Sequence, residues 1–152
     1  MSYPSIFDPE EYANLRARID TLTPSSERSW GTMTPAQMLA HLCVSYEYAF
    51  GERLDRPPLV MRMLLRVFFR DLLVGSKPYP RNARTAPTMV MSDPKDFAAE
   101  KARLVAYMDR MAREGYEAWD GRAQVTLGRL SAQEWSTLFW KHADHHLRQF
   151  GV

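Results

Sequence analysis

Helix-start signals recur along this chain and divide it into a few amphipathic segments. Asp8-Pro9 offers an N-cap followed by proline at the first helical position, and Asp93-Pro94 repeats that pair. Thr34 and Ser131 each stand three residues before a Gln or a Glu, which is the capping-box pattern. Four main helices are therefore predicted to begin at these points.

Between the second and third main helices, the sequence predicts a segment that leaves the bundle, called the excursion below (residues 57–91). Pro57-Pro58 precedes Leu59 to Val74, a stretch rich in Leu, Met and Phe that predicts an extra helical segment. Residues 76–91 are proline-rich and predict a long irregular connection, in which residues 88–91 form a weak candidate strand. The predicted fold is all-α: a four-helix bundle with this extra segment and long crossover connection, in a single domain spanning residues 1–152.

Composition excludes several classes of protein. The net charge is only +2, so no nucleic-acid partner is expected. The single cysteine, Cys43, cannot form an internal disulfide, and the first residues lack the pattern of a signal peptide. No apolar run approaches the ~18 residues of a membrane span. We therefore expect a cytoplasmic protein with no membrane partner.

The histidines carry the chemical signal of the sequence. His142 and His146 are four residues apart on the predicted last helix, so their side chains stack on one face, and His41 lies on the second helix. Two imidazoles from one helix and one from another would form a three-nitrogen metal site with open positions. His145 and Gln149 fall on the same arc.

The spacing alone leaves another interpretation open. Histidines near a helix C-terminus also interact favourably with the helix dipole, and His41 could be a hydrogen-bonded core residue. Asp144 points away from the histidine arc, which indicates a surface partner for Arg148 rather than a ligand. Cys43 lies about 160° from His41 around its helix and should not bind the same ion.

Two stretches of the sequence resemble those of a known protein family. Residues 30–42, which contain His41, and residues 141–151, which contain His142 and His146, resemble the DinB/YfiT-like superfamily, closest to an uncharacterised bacterial branch. The resemblance implies a four-helix bundle that binds a divalent metal, zinc or nickel, through His41, His142 and His146. It also implies a low-molecular-weight thiol as co-substrate, since characterised relatives are thiol-dependent transferases and isomerases. The branch has a His-Pro pair where this chain has Gln124 and Val125.

Two functions follow from such a site. A cation held by three neutral imidazoles can activate a bound water or thiol at neutral pH, which supports S-transfer or hydrolysis on a small molecule. No acidic residue shares the arc of His41, so His145 is the candidate catalytic group, although it could equally orient a neighbour. The alternative is a non-catalytic metal-binding or interaction protein.

Substrate contacts are predicted around the same end of the bundle. Asn82 and Thr85 lie in the proline-rich connection, a type of loop that often recognises ligands, and Trp30 is a candidate wall of the cavity. A tryptophan at that position is at least as typical of plain core. Gln149, on the histidine arc, is assigned to the same group.

The extra helical segment carries a stripe formed by Arg62, Arg66 and Arg70. Such a pattern is compatible with a membrane-surface or partner-binding helix. The favoured interpretation is a helix whose apolar side packs on the bundle and whose arginines are solvated. A homodimer interface is a variant of that interpretation.

Overall fold

The computed structural model describes residues 3–83 and 85–152, and this part of the chain is mostly helical. It contains six α-helices, one 3-10 turn and one small hairpin, listed here in chain order: α1 (Pro9–Thr21), α2 (Pro35–Ala49), α3 (Leu59–Phe68), α4 (Arg70–Val74), the 3-10 turn (Pro87–Met89), α5 (Phe97–Trp119), β1 (Ala123–Gln124), β2 (Gly128–Arg129) and α6 (Ala132–Gln149). The all-α prediction is confirmed at this level. None of the described helices is both long and apolar enough to cross a bilayer.

Three of the four predicted helix starts are confirmed. The Asp8 carboxylate accepts from the backbone N–H groups of the first turn of α1, and Thr34 and Ser131 form complete capping boxes at α2 and α6. The fourth was placed three residues too early, because Asp96 rather than Asp93 caps α5 by accepting from the backbone N–H of Ala99. Asp93 is otherwise engaged: its carboxylate pairs with Lys95.

The excursion differs from its prediction in two details. The segment from Leu59 to Val74 is two helices, which meet at Phe69. Residues 88–91 form no strand, and the 3-10 turn occupies their start. The short hairpin of β1 and β2 was not predicted, and the Gln124 side chain shapes its turn by accepting from the backbone N–H groups of Thr126 and Leu127.

The core lies between α1, α2, α5 and α6. α2 packs along α5, and α6 contacts α1, α2 and α5. Large aromatic side chains fill the centre, where Phe139 stacks on Tyr46 and on Trp135 and meets Trp119 edge-on. Because these rings are buried against each other, they fix which sides of α2 and α6 face one another. That orientation also sets the positions of the side chains that lie farther along both helices.

The packing of α3 contradicts its favoured interpretation. No residue of α3 is buried, so its apolar side does not pack on the rest of the protein. The arginine side faces inwards instead: the guanidinium of Arg70 donates to the Leu127 carbonyl and pairs with Glu134, and Arg66 lies against Gly128. The acceptors of Arg70 thus hold the end of this stripe against the hairpin and α6, and the apolar side of α3 faces solvent.

A buried lysine attaches the excursion to α6. The Lys141 ammonium donates to the carbonyls of Leu72 and Gly75 and lies 4.5 Å from the centre of the Tyr79 ring. Burial lowers its pKa to about 8. These carbonyls end α4, where a helix lacks internal donors, so the lysine supplies the missing bonds.

We expect Lys141→Met to lower the free energy of unfolding by about 1–3 kcal/mol, because both carbonyls lose their donor while the apolar volume is kept. Chemical denaturation of the metal-free protein measures it. Gln133→Met is the matched control, since Gln133 is exposed on the same helix. Equal stability of the two variants would contradict the assigned role.

Candidate metal centre

The structure brings the three predicted histidines together. His41 comes from α2, and His142 and His146 come from successive turns of α6. One ring nitrogen from each lies within 4.8 Å of the other two, and the Nε2 atoms of His41 and His142 are 3.0 Å apart. In the described part of the chain this is the one group of side chains with such ligand spacing.

Two of these rings have a tautomer fixed by their outer partner. The Nδ1 of His41 lies 2.8 Å from the Met89 carbonyl, which can only accept, so Nδ1 carries the hydrogen. Gln149 donates its amide N–H to the Trp30 carbonyl and therefore turns its oxygen to Nδ1 of His146, at 2.9 Å. Both rings thus present an Nε2 lone pair to the centre of the cluster, as a metal ligand must.

The third ring shows why a cation fits. The Nδ1 of His142 lies 3.1 Å from the Ser45 hydroxyl, which can either donate or accept. If the hydroxyl accepts, His142 also presents a lone pair, and two lone pairs 3.0 Å apart repel each other unless a positive charge lies beside both. Without a cation, a proton on the Nε2 of His142 must fill that role. A divalent ion could take that place if the ring hydrogen moved to Nδ1, where the Ser45 hydroxyl would accept it.

Burial keeps the cluster uncharged at neutral pH. The pKa of His146 is lowered to about 3, first by burial and then by the neighbouring His41. Burial likewise lowers the pKa of His41, and the pKa of His142 falls well below its usual value because it is buried among the other three histidines. Neutral imidazole is the form that binds a metal, so the cluster is in its ligand state without prior deprotonation.

The chemistry of the donor set favours zinc, nickel or a similar transition ion. The ligand group contains no carboxylate or thiolate, so a bound divalent ion would keep its full charge. Three protein ligands leave at least one position for water or substrate. The three histidines can therefore bind a metal ion, whose identity the ligands alone do not fix.

The predicted catalytic residue, His145, lies outside the ligand group. Its ring centre is 5.0 Å from that of His146, 6.0 Å from that of Trp30 and 5.7 Å from that of Tyr79. Burial lowers its pKa, against the opposing charge of Asp144. The side chain is only half-buried, so it borders the cluster on the side open to solvent.

The predicted substrate residues occupy different positions. Trp30 borders His145 and carries the Arg81 guanidinium 4.3 Å above its ring. Gln149 is buried and has its amide engaged between His146 and Trp30. Asn82 is exposed in a left-handed backbone conformation, and Thr85 is exposed. Substrate contact by these four residues stays a prediction.

Asp144 and Cys43, which the sequence excludes as metal ligands, lie where it predicts. Asp144 pairs with Arg148 at 2.9 Å and also with Arg18 at 2.8 Å, away from the histidines. Cys43 is buried on the other side of α2, outside the ligand group, and burial raises its pKa to about 12.

Sequence reasoning missed three contributors to the site. Met89 contributes a backbone carbonyl, which no side-chain pattern reveals. Tyr79 and Arg81 come from the proline-rich connection, where the composition indicates a loop without indicating which residues turn inwards. Their only sequence signal is the density of polar and aromatic residues among the prolines.

Comparison with known proteins identifies a family without an assigned function. The family model described as a protein of unknown function, DUF1569, matches residues 7–151. The chain belongs to this family. No curated protein and no solved structure matches the chain. The DUF1569 match spans all three histidines and every residue that holds them, so the site lies within the family's shared region.

Proposed function

We propose that this DUF1569 protein is a metal-dependent enzyme that transfers a small thiol to an electrophilic substrate, with hydrolysis as the related reaction of the same centre. The observation that carries the proposal is the set of three Nε2 atoms that face each other while every Nδ1 has its own partner. Histidines that bind a metal almost always have a hydrogen-bond partner on the ring nitrogen that faces away from the ion.

The architecture belongs to the same proposal. The DinB/YfiT resemblance implies that α1, α2, α5 and α6 form that superfamily's four-helix bundle, and the contacts of α6 with α1, α2 and α5 support it. The ligand positions, one histidine on the second bundle helix and two on the fourth, are also those that the resemblance implies. Zinc or nickel is the proposed metal, and its proposed ligands come from α2 and α6.

In this proposal each residue near the metal has a separate task. His41, His142 and His146 hold the ion, which when bound stabilises a thiolate or hydroxide at neutral pH. Met89, Ser45 and Gln149 orient the three rings.

His145 receives the proton released from the thiol. The sulfur then forms a bond to the electrophilic carbon while the bond to the leaving group breaks, and His145 returns its proton to the leaving group.

Turnover by untagged, zinc- or nickel-loaded protein tests the proposal. We expect turnover with at least one of bacillithiol, mycothiol and glutathione and a model aryl halide or epoxide. His145→Gln should bind metal normally but lower turnover by about 10²–10⁴-fold, the usual contribution of a proton-transfer group. His41→Ala should lose both metal and turnover. Absence of turnover with every thiol, and with esters and amides, would overturn the enzyme proposal.

One observation favours a second candidate, a non-catalytic metal-binding protein. The side chain of Gln124, which stands where the resembling branch has histidine, serves the hairpin turn and not the site. The local coordination distinguishes the two candidates. A fourth protein ligand on the bound metal would favour the binding protein, whereas an exchangeable water would favour the enzyme.

A further inference from the structure

Helix α3 presents a continuous apolar surface to solvent. Five of its exposed large apolar residues fall within an arc of about 140° at ~100° per residue: Val60, Met63, Leu64, Val67 and Phe68. Val67 is 74% exposed and Phe68 is 71% exposed. A contiguous apolar face of this kind marks an interaction surface, because scattered exposed apolar residues are common but clustered ones are not.

The outward direction of this face is fixed by polar contacts. Arg70, just after α3, is held by Glu134 and the Leu127 carbonyl, and the Arg66 guanidinium lies directly against Gly128. A rotation of α3 that buried its apolar side would break these contacts. The apolar face is therefore the surface that the fold presents.

The charge around α3 selects its partner. Residues 56–92 contain seven basic residues and one acidic residue, a net charge of +6 in a chain whose total is +2, so the remainder carries −4. Two copies of α3 placed face to face would bring these positive segments together. An anionic surface would neutralise them, and the effect would add to burial of the apolar residues.

We propose that α3 docks this protein onto the surface of a bilayer containing anionic lipid. The apolar arc enters the boundary between headgroups and acyl chains, while the exposed side chains of Arg56 and Lys77 approach lipid phosphates. The proposal differs from the sequence-based expectation of no membrane partner. It is independent of the metal centre, because no ligand of that centre belongs to α3.

Co-sedimentation of the full chain with vesicles tests the proposal. We expect the protein to pellet with vesicles of equimolar phosphatidylcholine and phosphatidylglycerol, and at least about tenfold less with phosphatidylcholine alone. Val67→Ser/Phe68→Ser should weaken binding at least about tenfold, since both side chains enter the bilayer. Val90→Ser, a change at an exposed apolar residue outside α3, should leave binding unchanged.

Three results would overturn the proposal. The first is no pelleting with either vesicle. The second is binding that Val67→Ser/Phe68→Ser leaves intact, which would indicate a purely ionic contact. The third is a dimer in light scattering that this double variant converts to a monomer, which would assign the face to a second copy of the chain. Thermal unfolding checks that the double variant remains folded, as expected for two exposed positions.

Discussion

Zinc affinity should fall by at least about a hundredfold in His142→Ala, because loss of an outer partner of a metal-bound histidine already costs about 10–100-fold. The ring centre of His142 lies 4.9 Å from that of His41 and 5.0 Å from that of His146, and its Nε2 lies 3.0 Å from that of His41. Two remaining imidazoles cannot enclose the ion. Competition titration against a chromophoric chelator measures the change in the untagged protein.

His145→Ala is the matched control for that titration. It removes a neighbouring histidine from the same helix without touching the ligand group. We expect wild-type affinity within a factor of about three, since its ring only borders that of His146. A loss of affinity equal to that of His142→Ala would mean that the ligand set is assigned incorrectly.

The metal-free protein should lose stability as the pH falls below about 6.5, the pKa of histidine in an unfolded chain. His41, His142 and His146 all have lowered pKa values in the fold. Below pH ~6.5 the unfolded chain therefore binds protons that the folded state does not bind, and the free energy of unfolding decreases. For His146, whose folded pKa is about 3, the loss between pH ~6.5 and ~5 is about 2 kcal/mol.

Urea denaturation of chelator-treated protein at several pH values measures this effect. His146→Leu supplies the control, because it keeps an apolar side chain at the position and removes one titrating group. Its free energy of unfolding should change less steeply between pH ~6.5 and ~5 than that of the wild type. Parallel pH profiles for the two proteins would contradict the lowered pKa of His146.

The helices and the ligand triad were predictable because both follow from the fixed period of the α-helix. Side chains four residues apart stack whatever the fold, so His142 and His146 had to share a face. Capping boxes at Thr34 and Ser131 are equally local, and both formed as expected. Placing His41 opposite them required the resemblance to a known family as well as the residue pattern.

Features that depend on distant parts of the chain could not be predicted. The apolar periodicity of α3 defines which side is hydrophobic, but the direction of that side is set by Arg70 and Glu134, which are 64 residues apart. The Met89 carbonyl reaches His41 across 48 residues, and any residue type could supply it. Long-range contacts made by backbone groups or by charged pairs produce no repeating pattern of residues in a sequence.

X-ray absorption at the zinc edge is the most direct test of the central claim, that three imidazoles from α2 and α6 share one ion. The account predicts one zinc per chain in untagged protein, with three nitrogen scatterers at about 2.0–2.1 Å, a lighter shell from exchangeable oxygen and no sulfur. A protein that binds no zinc, or binds it with sulfur or with fewer than three imidazoles, would contradict it.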